Sequence, residues 1–406
     1  MNAPNSPRSD ANLLERYGTT AIDRVRRAMD EMVAGKCVIL VDDEDRENEG
    51  DLVFAAEKTT PELINFMAKE GRGLICLPLT DDKLEKLDIP LMVDRNGSGF
   101  GTAFTVSIEA RTGVTTGISA ADRSRTIEVA IADGTKPDDL VRPGHIFPLR
   151  AQPGGVLVRT GQTEGSVDLA RLSGLQPSAV ICEILNEDGS MARLPDLVEF
   201  AEKHDLVICS VADLIAYRLE HEFLVERKAE ETVSTPAGDL RAIAFRSVVD
   251  DREALALVKG TDEQLKEASE NGEAPLVRVH SGDPLTDVFG GILDKGGLRL
   301  QGAFNAVAEQ ELGVILYLPR APEPIRFVDA LHAINEAKQN DGDLPEKDRA
   351  PKGESPVVRH YGTGAQILRQ LGLTRIRLLT NNPARLNAAK GFGLDIVGHV
   401  AIPSAD

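Results

Sequence analysis

The chain has 406 residues, enough for two domains of ordinary size, and its 42% hydrophobic and 27% charged residues describe a globular protein with sizeable cores. A formal net charge of −19 repels a phosphate backbone and an anionic bilayer, and 4% aromatic residues with no Trp leave little for stacking bases, so neither nucleic acid nor a membrane is an expected partner. The N-terminal "MNAPNSPRSDANLLERYG" has no basic stretch before an apolar core, and no apolar run approaches the ~20 residues that span a bilayer, so the expected location is cytoplasmic.

Ile22, Val25, Met29 and Met32 recur at helical spacing and stop at Gly35, ahead of an apolar strand over 37–41. Thr60, Pro61 and Glu62 read as the N-cap, first position and first-turn acid of a helix that ends near Gly71, followed by a strand "LICLPL". Further strands are expected over 104–109, 156–159, 180–185 and 206–209, and helices over 121–132, 163–173 and 195–204. The fold class is therefore α/β (α+β), with a first domain of about 200 residues. The polar stretch 226–238, "ERKAEETVSTPAG", reads as the seam between domains, with a strand through part of it left open. Beyond it strands are expected over 276–279, 312–318 and 375–379 and a helix over 365–371, with 339–356 a mobile Pro/Gly-rich loop. The four cysteines, Cys37, Cys76, Cys182 and Cys209, sit in apolar runs without a CxxC pair and read as buried small hydrophobes in a reducing compartment. Cys76 is the one to watch for proximity to a site.

Three clusters can carry chemistry. "DDEDRENEGD", 42–51, holds seven carboxylates in ten residues around Arg46 and follows directly on the first strand. Most acidic runs are solvated faces, but the end of an apolar strand is where open sheets place ligands, and a hard divalent cation neutralises clustered carboxylates. "RPGHIFPLRAQPGG", 142–155, reads as an ordered loop in which Arg142 and Arg150 hold His145 neutral as a base. "RTGQTEGSVDLARLSG", 159–174, ends a strand and opens a helix, and Arg159 beside free N–H groups suits a phosphate, although an ordinary N-cap looks the same. "TTGISAADR", 115–123, is a similar turn into a helix. Glu183 is a carboxylate in the apolar strand "AVICEIL", where burial is costly unless the group is paired or used. Together these groups suit metal-assisted enediol chemistry on a sugar phosphate, with isomerase, aldolase and dehydratase all open.

In their order and register the clusters, with "AVICEI", resemble 3,4-dihydroxy-2-butanone 4-phosphate synthase of riboflavin biosynthesis over about residues 20–218. The resemblance implies a three-layer-type synthase domain, over 1–220, that turns D-ribulose 5-phosphate into the four-carbon ketone phosphate and formate with Mg²⁺ or Mn²⁺. It implies substrate contacts at Arg46, Glu47, Asp51, Glu183 and the run Arg159, Thr160, Gly161, Gln162 and Thr163, catalysis by His145 and Glu183, and a homodimer whose sites draw on both subunits. The metal is implied at Glu47 and at Gln162, where the family carries His in R-x-G-H-T. An amide oxygen is a hard ligand, so activity is expected to survive with weaker metal binding and a stronger lean toward Mg²⁺.

The second half, 221–406, resembles GTP cyclohydrolase II through "VRVHSGDPLTDVFGG" and "YGTGAQILRQLGLTRIRLLTNNPARLNAAKGFGLDIV", implying a smaller α+β domain. Where that family places three zinc-binding cysteines stand Asp283, Asp294 and Gly296, and no cysteine follows Cys209, so no Zn²⁺ is expected. The family's Arg-rich loop is "PRAPEPI" at 319–325, and Val357 stands where an Asp precedes the retained Arg359. A folded, inactive domain is expected. The alternatives are a non-catalytic paralogue that binds or regulates pathway components, and a bifunctional enzyme with residual cyclohydrolase activity.

Overall fold

The computed structural model describes residues 13–43, 46–235, 237–249, 252–282, 287, 296–319, 356–381 and 394–403. The chain forms two compact units that divide between Arg218 and Leu219.

In the first unit the helix α1 (Ala21–Val33) starts where the Thr20 side chain accepts the Asp23 amide at 3.1 Å and Asp23 accepts the Thr20 amide at 3.2 Å. This reciprocal cap satisfies two amides that a helix start leaves free. The strands β1 (Val38–Val41) and β2 (Gly50–Ala55) pair antiparallel and are buried at every position. The unit continues through α2 (Pro61–Phe66), β3 (Cys76–Leu79), α3 (Asp81–Lys86), β4 (Ile108–Ala110), α4 (Ala120–Ile131) and β5 (Leu140–Arg150). It ends with α5 (Gln162–Leu172), β6 (Ala179–Glu183), α6 (Leu194–His204), β7 (Ile208–Ser210) and α7 (Val211–His221). The sheet order is β4-β5-β3-β6-β2-β1-β7, with parallel and antiparallel pairs mixed.

Alternation along β1 and β2 sends side chains to two faces. Ile39, Val41, Leu52 and Phe54 enter a core with Ile64 of α2, Leu84 of α3, Ile127 of α4 and Leu197 of α6. On the other face α5 packs across β1, β2, β3 and β6. Helices thus cover both sides of the sheet, in three layers, and each large apolar side chain buried there stabilises the fold by about 1.5–3 kcal/mol. The arrangement also fixes where polar groups can gather: at the ends of β2 and β6, beside the start of α5.

The second unit is built on β8 (Val225–Thr235), β9 (Gly238–Ser247), β10 (Glu253–Lys259), α8 (Asp262–Glu270), β11 (Leu276–Gly282), α9 (Gly296–Ala308), β12 (Gly313–Pro319), α10 (Pro356–Gln370), β13 (Arg375–Leu379) and β14 (Asp395–Val400). Its sheet runs β14-β13-β11-β12-β10-β9-β8, parallel from β14 to β12 and antiparallel beyond. No helix among the described residues is long and apolar enough to cross a membrane.

Four local expectations are corrected. Residues 226–238 are less a seam than a strand, the option that the polar stretch left open: most of them form β8, which among the described residues is an edge strand paired with β9 alone and keeps its outer side chains in water. Residues 142–150 are not a loop but part of β5. Pairing of Phe147–Arg150 with β3, and the Pro148 carbonyl accepting from the Thr105 amide at 3.1 Å, outweigh the poor strand preference of Pro. Of 104–109 only the end becomes β4, with Phe104 held by a single bridge to Leu149. The apolar run 156–159 is a short 3₁₀ turn, Gly155–Leu157, tied to α5 by the Val156 amide donating to Asp168 at 2.8 Å. The segment 339–355 lies outside the described residues.

Candidate active site

The acidic loop after β1, the ends of β2 and β6 and the start of α5 enclose a cavity of about 260 Å³. Asp51, second residue of β2, stands directly across from Glu183, last residue of β6. Residues opposite one another on an antiparallel pair point to the same face, so two carboxylates share one wall. Asp51 is buried, and burial, then the charge of Glu183, push its carboxyl well above the usual carboxylate range. Glu183 is not the core residue its strand suggested. It lies at the strand end, half-buried, and its Oε2 accepts the Leu74 amide at 2.8 Å. Gly73 makes this fit possible, because a Cβ there would stand 2.6 Å from that same Oε2. Cys76 also lines the cavity, and burial raises its thiol, which keeps it protonated and unreactive.

The opposite end is built by α5. Its N-cap, Gly161, offers no side chain, so no N-cap side chain covers the first helical amides. Arg159 donates to Glu164 at 2.6 Å and to the Phe100 carbonyl at 3.2 Å. A Cβ at Gly161 would stand 2.6 Å from Arg159 Nη1 and 3.0 Å from Arg46 Nη2. Glycine here is what allows two guanidiniums to converge on a helix start, the arrangement that suits a phosphate. Gln162 and Thr163, the first helical residues, line the cavity, whereas Thr160 and Gly161 form the turn ahead of it.

Arg46 ties the acidic loop to this end. Its Nη1 lies 2.6 Å from Asp42 Oδ2, 2.9 Å from Glu47 Oε2 and 3.0 Å from Gln162 Oε1. Gln162 is oriented by its own Nε2, which donates to the Glu49 carbonyl at 3.4 Å. Glu49 also lines the cavity, and its carboxyl is raised by burial and then by Glu47. Among the described residues no three His, Cys, Asp or Glu side chains meet as a ready-made metal site. The oxygens of Glu47 and Gln162 nevertheless aim at one cationic point, a donor set that fits a hard divalent ion. Glu44 and Asp45 of the acidic run lie outside the described residues.

His145 is not in the cavity. Its Nδ1 lies 2.7 Å from Glu109, and its side chain is 44% exposed. Arg142 and Arg150, expected to act on this imidazole, are engaged elsewhere. Arg142 donates to the Leu87 carbonyl and Arg150 pairs with Asp81, so the partner of His145 is a carboxylate. The "TTGISAADR" turn closes over this pair: Asp122 accepts from Thr115 and from the Gly117 amide, contacts that hold its carboxyl low, the Thr115 hydroxyl foremost. Glu49, Gly73, Phe100 and Glu109 were missed. A Glu in an acidic run hints at Glu49, but nothing local marks the others.

Residues 26–217 match the family model of 3,4-dihydroxy-2-butanone 4-phosphate synthase and residues 226–401 that of GTP cyclohydrolase II. A riboflavin biosynthesis protein RibBA of Aquifex aeolicus is 49% identical over 381 residues, covering 93% of this chain and 92% of the relative. A protein of Pseudomonas aeruginosa named 3,4-dihydroxy-2-butanone 4-phosphate synthase is 48% identical over 380 residues, covering 94% and 99%. The chain belongs to this family of riboflavin biosynthesis enzymes. A crystal structure of RibBX, a two-domain 3,4-dihydroxy-2-butanone 4-phosphate synthase from A. baumannii, superposes with a TM-score of 0.72 at 42% identity, covering 94% of this chain and 99% of that one. Within the family's second domain, His280 at the end of β11 is buried between Asp287 on Nε2 at 2.9 Å and Arg278 on Nδ1 at 3.3 Å, with the Tyr317 ring stacked on it. Asp283 and Asp294 lie outside the described residues, as does most of 319–325. Gly296, Val357 and Arg359 fall in helices whose side chains are not described there. All four cysteines are in the first unit, so thiolate coordination of zinc does not fit the second.

Proposed function

We propose that the first-unit cavity converts D-ribulose 5-phosphate into L-3,4-dihydroxy-2-butanone 4-phosphate and formate. The observation that carries this reading is the Asp51–Glu183 pair facing a phosphate-suited helix start across one cavity. Substrate and products balance without an added oxidant or reductant, so proton movement and positioning are what the protein must supply. Arg159, with the amides of Gly161–Thr163, holds the phosphate, and Arg46 and Thr163 orient the chain of hydroxyls. Asp51, its carboxyl raised by burial and then by the charge of Glu183, serves as the proton donor, while Glu183 beside it takes a proton from a substrate carbon or hydroxyl. The raised pKa of one and the open position of the other suit them to unlike tasks. Glu47 and Gln162 are the residues that would hold Mg²⁺ or Mn²⁺. When bound, the ion polarises a carbonyl and its neighbouring hydroxyl and acidifies the adjoining C–H.

His145 reaches a site only if a second copy supplies it, so the functional unit in this reading is a homodimer with shared sites. The second unit, lacking zinc thiolates, does not hydrolyse GTP in this reading and serves structure or binding. The deciding experiment measures formate from ribulose 5-phosphate by metal-stripped protein with Mg²⁺ or Mn²⁺ restored, beside Gln162→His, and from GTP with added zinc. Metal-dependent formate from the sugar phosphate and none from GTP is expected. A folded protein that binds the sugar phosphate without releasing formate, with or without His at 162, would reduce the chain to a binding paralogue.

A further inference from the structure

With Glu47 and Gln162 read as the cation ligands of the proposed function, the oxygen cage around Arg46 governs how a divalent ion enters. A single nitrogen, Nη1, sits 2.6–3.0 Å from Asp42 Oδ2, Glu47 Oε2 and Gln162 Oε1. The side chain of Arg46 is 3% exposed, and that of Asp42 is fully covered. These oxygens are therefore not an open cluster awaiting a cation, because a cation of the chain's own already lies among them. A divalent ion bound to Glu47 and Gln162 at the 2.0–2.1 Å typical of Mg²⁺ could not share that space with a guanidinium nitrogen. Charge repulsion between the two cations adds to the steric conflict.

Arg46 also has somewhere to go. Its Nε is buried without a hydrogen-bond partner among the described residues, its Cζ lies 5.6 Å from the Phe100 ring centroid, and its Nη2 approaches the Gly161 turn. An orphaned buried donor is costly, so an anion arriving at the α5 start offers it a better partner than the cage does. We propose that Arg46 is a resident competitor for the divalent-cation position, a positioning residue whose guanidinium keeps the cage of Asp42, Glu47 and Gln162 assembled and leaves as metal enters. Apparent metal affinity is then set by the displacement of Arg46 as well as by the amide at Gln162.

The test is Mn²⁺ binding to the full-length protein without substrate, read from the electron paramagnetic resonance signal of the free ion. Arg46→Ala, with Arg46→Gln as the variant to use if alanine does not fold, should bind Mn²⁺ at least about ten-fold tighter than wild type. Guanidinium chloride, far below denaturing levels, should then weaken Mn²⁺ binding to the variant more than sodium chloride at equal ionic strength, by refilling the cage. In wild type the two salts should act alike. Unchanged or weaker Mn²⁺ binding in a folded variant overturns the competition. So does tightening that both salts reverse equally, which is a long-range field effect. Absence of Mn²⁺ binding in wild type and variants alike would instead remove the ligand reading on which the proposal stands.

Discussion

Asp51 concentrates the electrostatic tension of the site in one side chain. It is buried, faces Glu183, and feels Glu47, Asp42 and Glu49 beyond, all of which raise its carboxyl. A carboxyl raised in the folded chain keeps its proton after the unfolded chain has lost its own. Stability then falls as pH rises through the interval between the two values and is unaffected below the unfolded value of about 3.9. Asparagine copies the shape of the protonated acid and removes the penalty. In metal-free protein Asp51→Asn should raise the melting temperature by a few degrees at neutral pH, the scale of ~1 kcal/mol in a domain of about 200 residues. The gain should shrink as pH falls and vanish about one pH unit below the unfolded value of about 3.9, where the unfolded wild-type chain also carries a proton on Asp51. Turnover should drop about 100-fold or more at every pH, as expected for loss of a proton-transferring group. Calorimetry across pH decides it: a stability gain that is flat with pH would mean that folding does not raise the Asp51 carboxyl.

At the scale of elements the site depends on where α5 begins. Gly161 admits the ends of two arginine side chains, and those ends are flexible, so a methyl group there displaces guanidiniums rather than backbone. Gly161→Ala should leave the melting temperature within a few degrees while raising KM for the sugar phosphate about ten-fold or more, a loss of ~1.4 kcal/mol in phosphate binding. A large drop in stability with unchanged KM would place the role of this glycine in folding. The same helix explains how much the sequence disclosed. Its start was legible because "RTGQTEG" combines an arginine, a turn and a first-turn acid locally, and α1, α2 and α6 were legible through caps and apolar spacing. β5 was not, and β8 only as an option within a polar stretch, because strands rich in Pro or charge gain their pairing from distant partners. The Asp51–Glu183 wall, the seat of Glu183 against Gly73 and the Glu109–His145 pair are tertiary for the same reason. Sequence named most members of the site, but only the sheet register could say which of them meet.

At the scale of the molecule the difficulty is His145, whose side chain lies outside the cavity that holds Glu183. Each half carries exposed apolar side chains next to its chemistry: Leu74 beside the Glu183 seat, and Ile118 beside the turn that closes on Glu109 and His145. Apolar groups left in water on both halves suit a two-fold contact in which each half docks on the other copy's complement. Glu183 of one subunit would then act with the partner's imidazole. If so, Glu183→Gln and His145→Ala chains, each inactive alone, rebuild a working site when mixed. In a random mixture half of the dimers are hybrid, and each hybrid has one site with both wild-type groups and one with neither, so activity returns to about a quarter of wild type. Co-expressing differently tagged variants and isolating the doubly tagged dimer should raise this to about half. If each chain used its own His145 and Glu183, every hybrid site would lack one of the two and the mixture would stay dead. Recovery near a quarter would also account for the position of His145, a catalytic residue built on the outer face of one subunit because the cavity it serves belongs to the other.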